Sequence, residues 1–352
     1  MSTSSRAELV RRFFPGGVPR LWCPLLTHYD DAGRIDADRI RSHLGRLAPT
    51  VSGILAPGST GDGWEMDEAE RSELLQLLLG AAGELDLWLL IGVLKTERGA
   101  ARESIARTAT EMAGRRKGGG ADTSGHTDAL AARRVCGFTV TPPKGAELTQ
   151  EQIRADLEGI LELGYPVALY QLPQVTENEM SPALVSDLAG RHPNFYLFKD
   201  TSGEDRVAES GVDTADVFMV RGAEGNYAGH LRESGGLYDG FLLSTANCFA
   251  PELARIIKLL ENGRHDEAAE LSGRVSNVVE AVFAAVSDLP FGNPFANANK
   301  AIDHVLAWHP KAAERPAPMT HSGNRLPEAA IQTARHALEA QQLLPERGYL
   351  AG

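Results

Sequence analysis

Apolar and polar positions follow a repeating order along most of this chain: a short apolar run, a turn, then a longer stretch with apolar residues three and four apart. The apolar runs cover residues 20–26, 52–57, 87–93, 135–141, 166–172, 195–199, 217–220 and 239–244. Runs of this length, rich in Val, Ile, Leu and aromatic residues, read as strands buried on both faces. The stretches that follow them, 36–47, 67–82, 100–113, 149–163, 181–191, 204–210, 226–233 and 251–261, read as helices. Such alternation predicts parallel strands joined by crossover helices. Eight strand–helix units in about 240 residues match the length of a (β/α)8 barrel. An open doubly wound sheet would usually carry a nucleotide fingerprint. No G-x-G-x-x-G follows the first run, and no G-x-x-x-x-G-K-[ST] occurs. The expected fold is α/β, a (β/α)8 TIM barrel with a C-terminal helical extension.

Two segments break the repeat. Residues 115–134 are rich in Gly, Arg and small polar residues and read as a flexible insertion. The insertion falls between a helix and the next strand, which puts it at the N-terminal face of a barrel, away from the chemistry. The tail holds three further helical patterns, 265–289, 296–308 and 327–344. The expected organisation is an N-terminal segment at 1–19, the barrel at 20–263 and the helical extension at 264–352.

Charge and composition narrow the partners. The net charge of −12 disfavours nucleic acid or an anionic membrane surface. No apolar run reaches the roughly 20 residues of a membrane helix, and the first residues lack the apolar core of a secretory signal. Cys23, Cys136 and Cys248 are odd in number and far apart, which fits reduced thiols in a cytoplasmic protein. The ten histidines show no pair spaced with a carboxylate as metal ligands, so no metal is expected.

In a barrel the chemistry stands at the C-terminal strand ends. The sixth run, Phe195 to Phe198, passes directly into Lys199 and then into the turn residues Asp200 to Gly203. An amine desolvated at such a strand end is left partly uncharged, and a free amine attacks ketones to give a Schiff base. Taken alone, Lys199 reads more readily as a lysine that snorkels to solvent. After the second run come Gly58, Ser59, Thr60, Gly61 and Asp62, whose backbone N–H groups and hydroxyls suit a carboxylate or phosphate. A plain glycine-rich turn fits that stretch as well. Tyr170 ends the fifth run and reads alone as a core aromatic.

Together these residues resemble one family. Gly-Ser-Thr-Gly-Asp at 58–62, Tyr-x-x-Pro at 170–173 and Lys-Asp-Thr-Ser-Gly at 199–203 look like the dihydrodipicolinate synthase / N-acetylneuraminate lyase family. Thr-Val-Thr-Pro at 139–142, Ser-Thr-Ala-Asn at 244–247 and Asn-Pro at 293–294 extend the likeness from about Leu21 to Leu344. The resemblance implies class I lyase or aldolase chemistry on a 2-keto acid, usually pyruvate. It further implies a covalent imine on Lys199, no cofactor or metal, and a homo-oligomer, dimer or tetramer. It makes Tyr170 the proton donor and acceptor and Thr60 its relay. Gly58, Ser59 and Thr60 would hold the keto-acid carboxylate, with Thr201, Gly222 and Leu242 beside the bound substrate. The chain departs from the family pattern at two places. Val175 stands where an arginine binds the second substrate of a dihydrodipicolinate synthase, and Pro143 and Lys144 follow Thr141-Pro142 where a tyrosine is usual. The expected activity is therefore not dihydrodipicolinate synthesis. Lys144, Lys95, Glu224 and His28 are polar groups at predicted strand ends or the loops after them; of these, Lys144 would bind a distal carboxylate and Glu224 a hydroxyl of a different acceptor. A dehydratase of a 2-keto-3-deoxy sugar acid and a non-catalytic ligand-binding barrel remain the alternatives.

Overall fold

The computed structural model describes residues 5–113 and 123–351. Eight parallel strands close in sequence order into a barrel. They are β1 (Leu21–Pro24), β2 (Gly53–Ala56), β3 (Trp88–Val93), β4 (Val135–Val140), β5 (Val167–Gln171), β6 (Phe195–Asp200), β7 (Phe218–Arg221) and β8 (Gly240–Leu242). All eight lie inside the apolar runs or overlap them. Every residue of β6 is buried, as expected of a parallel strand covered on both sides.

The chain divides into two compact units. The first comprises residues 1–20, 88–223 and 237–242 and carries β3 to β8. Pairing sets Tyr170 of β5 opposite Lys199 of β6, and Lys199 opposite Val220 of β7. A register shift accompanies the entry into β5. Beside it, Gly137 of β4 has φ +139°, and a Cβ there would land on the Pro166 carbonyl, so only glycine fits. Helices begin where capping residues stand: Thr149 with Gln152 forms a capping box before Gln150–Leu161, and Ser181 caps Pro182–Arg191.

Two elements of this unit differ from the expectation. The helix Arg6–Phe13 was not foreseen in a short, charged leading segment. Ser5 and Glu8 cap it reciprocally, and the Arg6 guanidinium donates to the carbonyls of Phe195, Ala189, His192 and Ala215. The presumed insertion holds a helix, Thr123–Ala132, with Leu130 buried and Asp128 paired to Arg12. Its Ala- and Leu-containing second half favours a helix, which the Gly- and Arg-rich average of the stretch conceals. The preceding residues 115–122 of that reading lie outside the described residues.

The second unit comprises residues 21–87, 224–236 and 243–352 and carries β1 and β2. Its helices include Ala37–Leu47, capped by Asp36, and Glu68–Glu84, capped by Asp67. The tail forms His265–Val286, Pro294–Trp308 and Glu328–Ala340, matching the three helical patterns. Instead of the helix expected over 226–233 there are two short 3-10 turns, Tyr227–His230 and Arg232–Ser234. Asn226 enters them at φ 44°, and Gly229, Gly235 and Gly236 weaken any helix in this stretch.

Candidate active site

Lys199 is 4% exposed, one residue from the C-terminal end of β6. Its Nζ lies 4.0 Å from the centroid of the Tyr170 ring, a consequence of the β5–β6 register. Gly222, just past β7, stands against both neighbours on β6. A Cβ there would come within 2.8 Å of Lys199 Cε and would collide with Thr201 Oγ1. Its N–H donates to the Asp200 carbonyl at 2.6 Å. So Lys199, Tyr170, Thr201 and Gly222 are brought together within the first unit, and glycine at 222 leaves the lysine stem its room. Leu242 ends β8 fully buried.

Several buried polar atoms of this unit have no partner: Oγ1 of Thr139, Thr141 and Thr201, and Nε2 of Gln171. Unpartnered buried hydroxyls are costly and concentrate where a ligand supplies the missing bonds. Thr139 and Thr141 share one face of the chain as it leaves β4, two residues apart. The Thr-Val-Thr-Pro motif was the signal for them, although neither was chosen as a site residue.

A second set was only partly visible in the sequence, through Asp200 and Ser202. Tyr238 donates to Asp205 Oδ1 at 2.6 Å, and Arg221 holds Asp205 Oδ2 at 3.2–3.3 Å. Asp200 accepts from the Ser202 N–H and hydroxyl at 2.9 and 2.6 Å. Burial pushes the Asp200 carboxyl above its ordinary range, against the bonds from Ser202, and nearby Asp205 adds to the rise. This network fixes the ends of β6 and β7 around Lys199. Asp200 and Ser202 lie within the Lys-Asp-Thr-Ser-Gly stretch, but Arg221 ends β7 and Tyr238 precedes β8, so no local motif joins the set.

In the second unit, Ser59–Gly61 forms a 3-10 turn in which Gly58 O accepts from the N–H groups of Gly61 and Gly63. A Cβ at Gly61 would land on the Leu25 carbonyl. Ser59 Oγ accepts from Trp64 Nε1 at 2.8 Å, and Thr60 is buried. Asn293, of the Asn-Pro pair, donates to Ser59 O at 2.9 Å. Glu224 is firmly held. Its Oε1 accepts from Ser244 Oγ at 2.5 Å and the Thr245 N–H at 3.1 Å, and its Oε2 from Thr245 Oγ1 at 2.5 Å and Tyr227 OH at 3.0 Å. A substrate hydroxyl would have to displace one of these four donors.

Lys144 is half exposed and pairs with Glu177 at 2.9 Å. Exposed pairs of this kind contribute roughly 0–1 kcal/mol, so a carboxylate ligand can compete for it. Val175 sits in a single helical turn, Pro173–Thr176, and is half-buried. The three cysteines are buried and free, and burial pushes the Cys136 thiol up to about 12. Among the described residues no helix is long and apolar enough to cross a membrane.

The fold is a closed parallel (β/α)8 barrel with a buried lysine near the end of its sixth strand. The comparisons with known proteins carry this further. The model of the dihydrodipicolinate synthetase family matches residues 129–296. A 4-hydroxy-tetrahydrodipicolinate synthase of Xanthomonas axonopodis pv. citri is 28% identical over 255 residues, 72% of this chain and 76% of that protein. Among solved structures, a prophage protein of the dihydrodipicolinic acid synthase family from E. coli K12, in complex with pyruvate, gives a TM-score of 0.68 at 20% identity. That match covers 92% of this chain and 98% of the other. A variant 2-keto-3-deoxygluconate aldolase of Sulfolobus solfataricus gives 0.69 at 14% identity, over 92% and 96%. These findings agree: over residues 129–296 the chain is similar to the dihydrodipicolinate synthetase family, and the relatives and neighbours it resembles are named as synthases and an aldolase.

Proposed function

We propose that this chain is a Schiff-base-forming lyase or aldolase for a 2-keto acid of the pyruvate type, with Lys199 as nucleophile. The observation that carries the reading is Lys199 itself: buried, laid over the Tyr170 ring, and among the described residues tied to no carboxylate. In this reading the free Nζ adds to the C2 carbonyl and the carbinolamine loses water to give an imine. The protonated imine draws electrons from the neighbouring carbon. In the lyase direction the C–C bond to that carbon breaks, its electron pair forms the enamine, and an aldehyde departs. Protonation of the enamine and hydrolysis of the imine return the keto acid and the amine.

Tyr170 moves the protons, with Thr60 as relay, since a phenol needs a hydrogen-bonded partner to act as a base near neutrality. Gly58, Ser59 and Thr60 receive the keto-acid carboxylate, and Thr201, Gly222 and Leu242 line the substrate. The reading needs no cofactor. It includes a homo-oligomer in the cytoplasm, whose assembly light scattering would test.

The acceptor differs from that of a dihydrodipicolinate synthase, despite the names of the curated relatives. A carboxylate-bearing aldehyde calls for a cation, best an arginine fork, and Val175 offers no donor. A carboxylate left unpaired in a closed site costs on the order of 2–5 kcal/mol. Lys144 supplies a charge from elsewhere, as a point charge on a flexible stem. A neutral or polyhydroxylated aldehyde, or a sugar acid held by Lys144, fits better.

The test is a panel of 2-keto acids and 2-keto-3-deoxy sugar acids, with pyruvate release and water loss both followed. Pyruvate release from a sugar acid supports the reading. Water loss without pyruvate release would make the chain a dehydratase by the same imine chemistry. A kcat/KM with pyruvate and aspartate semialdehyde in the usual enzyme range, about 10⁴–10⁸ M⁻¹s⁻¹, would overturn the acceptor assignment.

A further inference from the structure

His28, His43 and Asp303 lie together in the second unit, their ligand-type atoms within 4.8 Å of one another, all three buried. The hydrogen bonds around them fix what each nitrogen can do. Asn247 donates through Nδ2 to the carbonyls of Pro24 and Ser244 at 2.8 and 2.9 Å, and its Oδ1 accepts from the Leu26 N–H at 2.9 Å. The amide is therefore oriented, and its Oδ1 is an acceptor. His43 Nε2, 3.2 Å from that oxygen, must be the N–H. In the neutral ring, Nδ1 then holds a lone pair, and it faces Asp303 Oδ1 at 3.1 Å. The Tyr349 hydroxyl also lies 3.2 Å from His43 Nδ1. Its single O–H donates to Asp303 Oδ1 at 2.8 Å, while its oxygen accepts from Arg39 Nη1 at 2.6 Å.

On the other side, Asp303 Oδ2 accepts from Arg39 and faces His28 Nε2 at 3.8 Å. His28 Nε2 is buried without a partner. Each carboxylate oxygen thus has one donor and one facing nitrogen, and the facing pairs lack a cation between them.

We propose that His28 Nε2, His43 Nδ1 and Asp303 form a metal site of the zinc type. Two imidazoles and a carboxylate are a usual three-ligand set for zinc, with water as the fourth ligand. The Asn247 contact is the outer support such a site needs, since a ligating histidine donates its other N–H to a fixed acceptor. Tetrahedral zinc with bonds of about 2.0–2.1 Å sets its ligand atoms roughly 3.3 Å apart. The His43–Asp303 pair meets that spacing; His28 stands 3.8 Å from the other carboxylate oxygen, the three ligand atoms lie within 4.8 Å of one another, and His28 closes on the other two when one ion binds all three. A cavity of ≈ 270 Å³, lined by His28, Asp303, Arg39, Lys300 and Trp308, gives a way in and room for the water. Two imidazole nitrogens suit zinc rather than magnesium or calcium, which take oxygen ligands. The three residues are far apart in sequence, so spacing along the chain, the basis for expecting no metal, could not reveal them. The site is independent of the Lys199 chemistry.

The full chain, stripped with a chelator and dialysed, is titrated with Zn²⁺ against a chromophoric competitor and, separately, with Co²⁺. The expected result is one tightly held zinc per chain and the visible absorption of tetrahedral cobalt. His28→Gln should weaken zinc at least about tenfold, by the scale of lost support around metal sites. If that variant fails to fold by circular dichroism, the wild-type cobalt spectrum decides alone. Equal zinc affinity in wild type and folded His28→Gln, or cobalt without tetrahedral bands, would overturn the proposal. So would NMR of zinc-saturated protein showing both His43 nitrogens protonated, because a proton would then fill the place assigned to the metal.

Discussion

Lys199 and Lys300 are both buried, at 4% and 1% exposure, and they are held in opposite ways. Lys300, on the helix Pro294–Trp308 of the second unit, sets Nζ 2.6 Å from Asp62 Oδ2 and 4.8 Å over the Tyr29 ring. Lys199, on β6 of the first unit, has a ring face at 4.0 Å and, among the described residues, no ion pair or hydrogen bond on its nitrogen. A buried ion pair is stable only as a pair, so Lys300 is committed to Asp62. A nucleophile needs an exposed lone pair and room to react. Of these two lysines, Lys199 is the one without a carboxylate partner among the described residues. Burial does not distinguish the two lysines; the carboxylate partner does.

The largest effect that could break this contrast is on turnover. Lys199→Ala should remove the nucleophile and lower kcat by about 10⁴-fold or more, the scale seen when a nucleophile is deleted. Its melting temperature should stay near that of the wild type, because no buried partner is orphaned. Tyr170→Phe comes next. Loss of the proton carrier should reduce turnover by about 10²–10⁴-fold with the fold intact. A drop below roughly tenfold would assign the proton to another group.

Lys300→Met sharpens the contrast from the other side. It leaves Asp62 buried without its cation and should cost about 3–5 kcal/mol in a denaturation experiment. Below its melting temperature the variant should still form a covalent adduct with pyruvate. Asp200→Asn carries the smallest effect, a slope rather than a loss. A buried carboxyl raised above its unfolded value, about 3.9, is protonated more readily in the folded state. The stability it lends is present below that unfolded value and fades as pH rises through the folded one. The wild type should therefore lose stability relative to Asp200→Asn as pH is raised across that window. Parallel stability curves for the two proteins would remove burial as the cause.

The first unit was the more legible of the two. Its strands are covered on both faces, so each appears as an unbroken apolar run. Lys199 interrupts such a run at the point where turn residues begin. Tyr170 and Gly222 could be placed because strand order and strand ends follow from the repeat. Much of the second unit was hidden for a related reason. The helix Pro294–Trp308 is buried all round, from Ala296 to Ala307, so Asn297, Asn299, Lys300, Asp303 and His304 are interior residues. In an amphipathic reading such residues belong to the solvent face. Their partners, Asp62, His43 and Ser244, sit on other elements and form no motif with them. Glu224 was legible as a loop acid, but its four donors from Ser244, Thr245 and Tyr227 were not.

The most direct test of the account is where a covalent adduct forms. The protein is incubated with pyruvate, reduced with borohydride, digested and mapped by mass spectrometry. The expected result is one reduced adduct, on the peptide carrying Lys199, absent from the Lys300 peptide and absent from Lys199→Ala. An adduct that survives in Lys199→Ala, or one that forms on Lys300 instead, would contradict it. So would the lack of any adduct across a panel of 2-keto acids.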